Sequence, residues 1–180
     1  MKNIKLLFAA VSVITVFSFS QCKKNKIDNP KLPPETTTGA MTFGCKINGQ
    51  IFLPKDGRGR PGLYCQYVNL GTGPGGGWYL NIPAVDWNPV SIPAVSITTD
   101  SLLVTEGGTY PFKKVKGNAM AFYTTGYDYF DKLDNDDGSL HITKFDVINR
   151  ILSGTFSFIG TNQTTGVKVN IIEGRFDIRY

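Results

Sequence analysis

Among the side chains able to do chemistry, the acids stand closest together. Asp128, Asp131, Asp134, Asp136 and Asp137 crowd the stretch that ends at Gly138. Carboxylate oxygens at that density are hard ligands suited to calcium. Asp131, Asp134, Asp136 and Asp137 form the candidate metal set. The register is not that of an EF-hand, because placing Gly138 sixth puts Leu133 first and Lys144 twelfth. A solvated acidic turn is the alternative. Aromatic rings make a second candidate. Trp78, Trp87, Tyr79, Tyr64 and Tyr127 fall near turn-forming residues, where a planar ring beside polar groups can stack on a sugar. Trp87, between Asp86 and Asn88-Pro89, is the best placed, followed by Trp78 and Tyr79. The alternative is ordinary packing, which aromatics dominate in small β domains.

Nucleophilic and redox chemistry find less support. The chain holds one histidine, His141, and no Gly-x-Ser-x-Gly elbow to go with it. One histidine and two core-facing cysteines do not make an open zinc site. Gly71 to Gly77 reads GTGPGGG, but Trp78-Tyr79 follows where a phosphate loop needs Gly-Lys-Ser/Thr opening a helix, so a flexible hairpin loop is expected. Two carboxylates flanking a glycosidic bond would suffice for hydrolysis, and that option stays open as the enzyme alternative. No catalytic residue is assigned, and no cofactor is expected.

The three cysteines divide into one and two. Cys22 follows Leu6–Phe19, a run of 14 uncharged residues behind Lys2 and Lys5. As a helix that run spans about 21 Å against a hydrocarbon core of about 30 Å, too short for a comfortable crossing. It reads as a secretory signal over 1–21. Phe19-Ser20-Gln21-Cys22 resembles a lipobox, with Gln21 and Phe19 as departures from its usual residues, so Cys22 is expected to become the acylated first residue of the mature protein. Cys45 and Cys65 remain. In an exported protein they form a disulfide candidate, closing a loop worth about 3 kcal/mol; two buried free thiols are the alternative.

Charge follows the same division. The formal charge is +5, but six of the 19 basic residues and two of the 14 acidic ones precede Met41, which leaves 13 against 12. The remainder is close to neutral and offers no basic stripe for a phosphate backbone, so nucleic acid is not an expected partner. Lysines beside an acyl anchor suit an anionic membrane surface.

These residues need a scaffold. Residues 22–40, carrying KKNKIDNPKLPPETTTGA after the cysteine, are too polar and proline-rich to order themselves and read as a lipidated tether. From Met41 to Tyr180 period-two alternation dominates. Asn48-Gly49 signals a tight hairpin. Leu63, Cys65 and Tyr67 share one face of a strand. GWYLNIP, AVSITT, NAMAFYTT, SLHITKFDV, RILSGTFSFIG and VKVNIIEGRFDIRY are further strands. In the last, Phe176, Ile178 and Tyr180 make a dry face, and Arg175, Asp177 and Arg179 a wet one. An all-β antiparallel two-sheet sandwich is predicted over 41–180, with a closed or partly open barrel as alternative. Asp100-Ser101-Leu102 also resembles a short O-glycan acceptor.

The C-terminal words Ile-Thr-Lys-x-Asp (142–146), Ser-Gly-Thr-Phe-x-Phe (153–158) and Gly-Arg-Phe-Asp (174–177), with TFGCKINGQIF earlier, resemble a family of Bacteroidota lipoproteins with an all-β domain of unknown function. The resemblance implies an envelope domain and brings no catalytic residues. The expectation is therefore a lipid-anchored cell-envelope module, non-catalytic, on the outer membrane facing the periplasm, with surface exposure as the alternative. A glycan or an envelope protein is the expected partner class.

Overall fold

The computed structural model describes residues 30–87 and 90–180. The signal segment, Cys22 and the first part of the tether lie outside the described residues, as do Asn88 and Pro89.

Eleven strands make up the fold, and no helix occurs among the described residues. They are β1 (Thr42–Ile47), β2 (Gln50–Phe52), β3 (Gln66–Asn69), β4 (Trp78–Val85), β5 (Ala94–Asp100), β6 (Thr109–Pro111), β7 (Asn118–Thr125), β8 (Asp128–Asp131), β9 (Gly138–Asp146), β10 (Ile151–Thr161) and β11 (Lys168–Arg179). All pairings between them are antiparallel. Hydrogen bonds run in the order β2-β1-β11-β10-β8-β7-β5-β4-β3, with β9 on β10 and β6 on β9. The path ends at β2 and β3 without closing into a barrel.

β10 joins two halves of this sheet. Ile151 to Phe158 pair with β9, and beyond them Thr161 pairs with Asp131 of β8. The halves face each other across one core, in the manner of a sandwich. Tyr67 of β3 meets Phe145 of β9 and Tyr180 at ring distances of 5.6 and 5.4 Å, and Phe112 meets Phe158 at 5.8 Å. Alternation in the sequence produces this core directly. Leu80, Ile82 and Ala84 of β4 and Ala119, Ala121 and Tyr123 of β7 point inward, every second residue. Each fully buried Leu, Ile or Phe contributes about 1.5–3 kcal/mol.

The Asn48-Gly49 hairpin forms as expected. Both residues take positive φ, 48° and 84°, the requirement of a type I′ turn. Leu63, Cys65 and Tyr67 all pack on the core, although the regular strand begins only at Gln66. The acidic stretch differs from its expected form as one turn: its first four residues are β8, paired with β7 from Phe122 to Thr125.

Candidate binding clefts

The compact unit begins at Lys31, and residues 31–40 of the expected tether lie against the domain. Two features fix them. Leu32 and Pro33 approach Gly44 of β1 so closely that a Cβ there would meet Pro33 Cδ at 2.7 Å. Asp177 of β11 then gathers the rest. Its Oδ2 accepts from Thr36 Oγ1 at 2.6 Å, the Thr38 N–H at 3.0 Å and the Ala40 N–H at 3.1 Å. Its Oδ1 accepts from the Gly39 N–H at 2.8 Å and Ser153 Oγ at 2.7 Å. The strap covers Asp177 on the face of β11 expected to be wet, leaving it only 1% exposed, while Arg179 on the same face stays exposed. Burial by itself would raise the Asp177 carboxyl. The bonds from Thr36, Ser153, Thr38 and Ala40 outweigh it and hold the group well below the usual carboxylate range.

Polar clefts open on the surface among the described residues. The first, about 420 Å³, lies on the outer face of β9, β10 and β11, among Ser139, His141, Thr155, Ser157, Glu173 and Arg175, with Glu35 reaching in from the strap. Register explains the grouping, since Thr155 pairs with both His141 and Arg175. Arg175 lies 3.5 Å from Glu35 and 3.9 Å from Glu173, and Lys46 is 2.5 Å from Glu173. His141 Nδ1 shares a hydrogen bond with Thr109 Oγ1 at 2.9 Å. Two carboxylates thus share one cleft, but cations sit between and beside them. The arrangement binds its own charges together.

The second cleft, about 340 Å³, lies between the β7–β8 turn and the β10–β11 turn. Tyr127, Asp128 and Tyr129 form one wall, and Asn162, Gln163, Thr164 and Thr165 the other. Tyr127 is fully exposed at the tip of a two-residue turn whose first residue, Gly126, has a φ of 58°. Tyr129 is 46% exposed, with its ring stacked on Phe122 at 5.3 Å. Opposite, Asn162 Oδ1 accepts from the backbone N–H of Thr164 and Thr165 at 3.0 and 3.1 Å, which shapes that turn.

The aromatic residues favoured by sequence do not form a platform. Trp78 opens β4 and Trp87 lies beyond its end, so roughly 24 Å of strand separates them. Trp78 stacks on Tyr67 at 4.8 Å and joins the core. Tyr79 donates to the Gly75 carbonyl at 2.6 Å. Trp87 has the Arg60 guanidinium 4.9 Å from its ring centre, Gly57 against its Cβ, and its Nε1 donating to the Pro61 carbonyl at 3.0 Å. Its ring is already in use.

Two of the four candidate metal acids are likewise spoken for. Asp131 is ion-paired with Lys114 and accepts from Gln163 Nε2 at 3.2 Å. Asp136 accepts from Lys168 Nζ at 2.5 Å and Thr161 Oγ1 at 2.6 Å, and these bonds lower its carboxyl. Asp134 and Asp137 are exposed. No cluster of three metal-ligating side chains occurs among the described residues.

Cys45 and Cys65 carry free thiols, so the disulfide candidate is not formed here. Burial pushes both up to about 12. Ser101 has a φ of 53°, and its Oγ donates to the Gly76 carbonyl at 2.8 Å.

The sequence marks Tyr127 as a loop ring and Asp128 as one of the clustered acids, but not Tyr129 or the opposite wall. Asn162 to Thr165 reach the same cleft from a turn far along the chain, and no local pattern marks them. The three recurring C-terminal words lie on β9, β10 and β11. Residues 91–177 match the family model of a domain of unknown function, DUF6252. The DUF6252 match contains every residue of the Tyr127–Thr165 cleft and ends on Asp177. It leaves Glu35, Trp78, Tyr79 and Trp87 outside. No curated protein and no solved structure matches the chain.

Proposed function

We propose that this protein is a lipid-anchored, non-catalytic binding module of the bacterial cell envelope, held through Cys22 and presenting its β domain to a ligand or envelope partner. One observation carries the binding reading. Several acids of the β9–β11 face and of the acidic stretch are committed to structural bonds, while an aromatic, hydroxyl-rich cleft keeps groups without partners among the described residues. Asp177 is saturated by the strap, Asp131 and Asp136 are paired with lysines, and Glu173 is paired with Lys46. The anchor rests on the short apolar run ahead of Cys22 and on the lysines after it. Those lysines favour the periplasmic face of the outer membrane.

The test is fractionation together with protease treatment of intact cells. Wild-type protein is expected in the membrane fraction and protected from added protease, and Cys22→Ser in the soluble envelope fraction. A Cys22→Ser protein that stays with the membrane would overturn the anchor. Digestion of the wild type on intact cells would move the module to the outer surface.

A further inference from the structure

We propose that the cleft between the β7–β8 and β10–β11 turns is a subsite for a neutral saccharide, with Tyr127 as its stacking ring. The proposal rests on the binding-module reading above and specifies its site and ligand class.

The backbone of both turns is pinned before any ligand arrives. Thr125 pairs with Asp128 across the first turn, and the Gly126 N–H donates to the Ser91 carbonyl at 2.6 Å, pinning that turn from outside. The second turn is held by Asn162, whose N–H donates to the Val167 carbonyl at 2.9 Å and whose carbonyl accepts from the Gly166 N–H at 2.8 Å. Gln163 is tied across to Asp131 of β8. Pinned turn backbones reduce the ordering cost of binding.

The chemistry of the lining then selects the ligand. Among the described residues the Tyr127 side chain makes no ring contact and no hydrogen bond, so its faces and its hydroxyl are available. The Tyr129 and Thr164 hydroxyls also lack partners among the described residues. Asp128 Oδ1 has only a long contact, 3.5 Å, from Asn162 Nδ2. These groups offer rings for the C–H face of a sugar and donors and acceptors for its hydroxyls. An anionic ligand is disfavoured, because Asp128 lines the cleft and Lys114, linked to the wall residue Gln163 through Asp131, is already ion-paired. A purely apolar ligand would strand the amides and hydroxyls opposite the rings. The volume, about 340 Å³, sits at the small end of ligand pockets and suits a short saccharide.

The experiment uses the mature chain with Cys22→Ser. It is titrated against a panel of neutral gluco-, manno-, xylo- and galacto-oligosaccharides and their uronic-acid counterparts. At least one neutral oligosaccharide is expected to bind, and Tyr127→Ala is expected to weaken it by about tenfold or more. Trp87→Ala is expected to leave affinity unchanged. Tyr127 is exposed, so its variant should unfold at the wild-type denaturant midpoint. No binding to any neutral member, preference for the uronic acids, or binding indifferent to Tyr127→Ala overturns the subsite. Saccharide binding that ignores Tyr127→Ala removes this site and leaves the binding module standing. Release of new reducing ends from a bound oligosaccharide would instead overturn the non-catalytic reading.

Discussion

Thr36 Oγ1 donates to Asp177 Oδ2 at 2.6 Å, joining residues 141 apart in sequence. The contact belongs to a set in which one carboxylate satisfies three consecutive backbone N–H groups of the strap, from Thr38 to Ala40. Asp177→Asn is expected to destabilise the protein by about 3 kcal/mol, because the amide nitrogen would point a donor at donors in a buried site. Thr36→Val removes one neutral partner and should cost about 1 kcal/mol. Denaturant midpoints at pH 7 check both, and equal midpoints for the wild type and Asp177→Asn would contradict the role given to the strap.

Acid should act through the same residue. The Asp177 carboxyl is held below its unfolded value of about 3.9, so its stabilisation is fully present above that pH. It is lost progressively as pH falls below 4 toward the folded-state value. The stability gap between wild type and Asp177→Asn should therefore be widest near neutral pH and narrow from pH 4 downward. A gap independent of pH between 7 and 2, measured by thermal unfolding, would contradict this.

The two thiols should be quiet in the folded state. With both pushed up to about 12 by burial, the thiolate fraction at pH 8 is negligible. Ellman's reagent is expected to label neither Cys45 nor Cys65 at native pH 8, and both once the Cys22→Ser protein is unfolded without reductant. An unfolded protein with no reactive thiol and a mass 2 Da lower would mean that the disulfide forms after all.

Calcium should have no effect. Lys114 and Lys168 occupy two of the four carboxylates that the sequence offers as ligands, and the other two do not join them in a cluster among the described residues. Millimolar calcium or a chelator is expected to leave the thermal midpoint where it was, and a rise of several degrees with calcium would contradict the assignment. Asp136→Asn, by contrast, should lower stability modestly, by no more than about 1 kcal/mol, since Lys168 is largely exposed.

The strands were legible where one face is dry. In β4 and β7 the alternation that predicts a strand is the alternation that fills the core. Asn48-Gly49 likewise announced its turn through residues able to take positive φ. Sequence failed where a distant segment changes a residue's surroundings. Asp177 alternates with apolar neighbours and so reads as wet, yet a strap of threonine, glycine and alanine, unremarkable by composition, covers it through backbone donors that carry no sequence signal. Prolines and threonines made that strap look like free tether. The acidic stretch misled for a related reason. Lys114 and Lys168, distant in sequence from most of those acids, neutralise two of them, and spacing among the acids reports nothing about partners elsewhere. Tyr127 showed itself as a ring at a turn; the opposite wall at Asn162–Thr165 arrives by folding alone.

The anchored binding module is tested most directly at its N-terminus, by intact mass spectrometry of wild-type protein extracted from membranes with mild detergent. The account predicts a chain beginning at Cys22 and heavier than its sequence by the mass of attached acyl groups. A mature chain that begins elsewhere, or one that begins at Cys22 with no added mass, would contradict it.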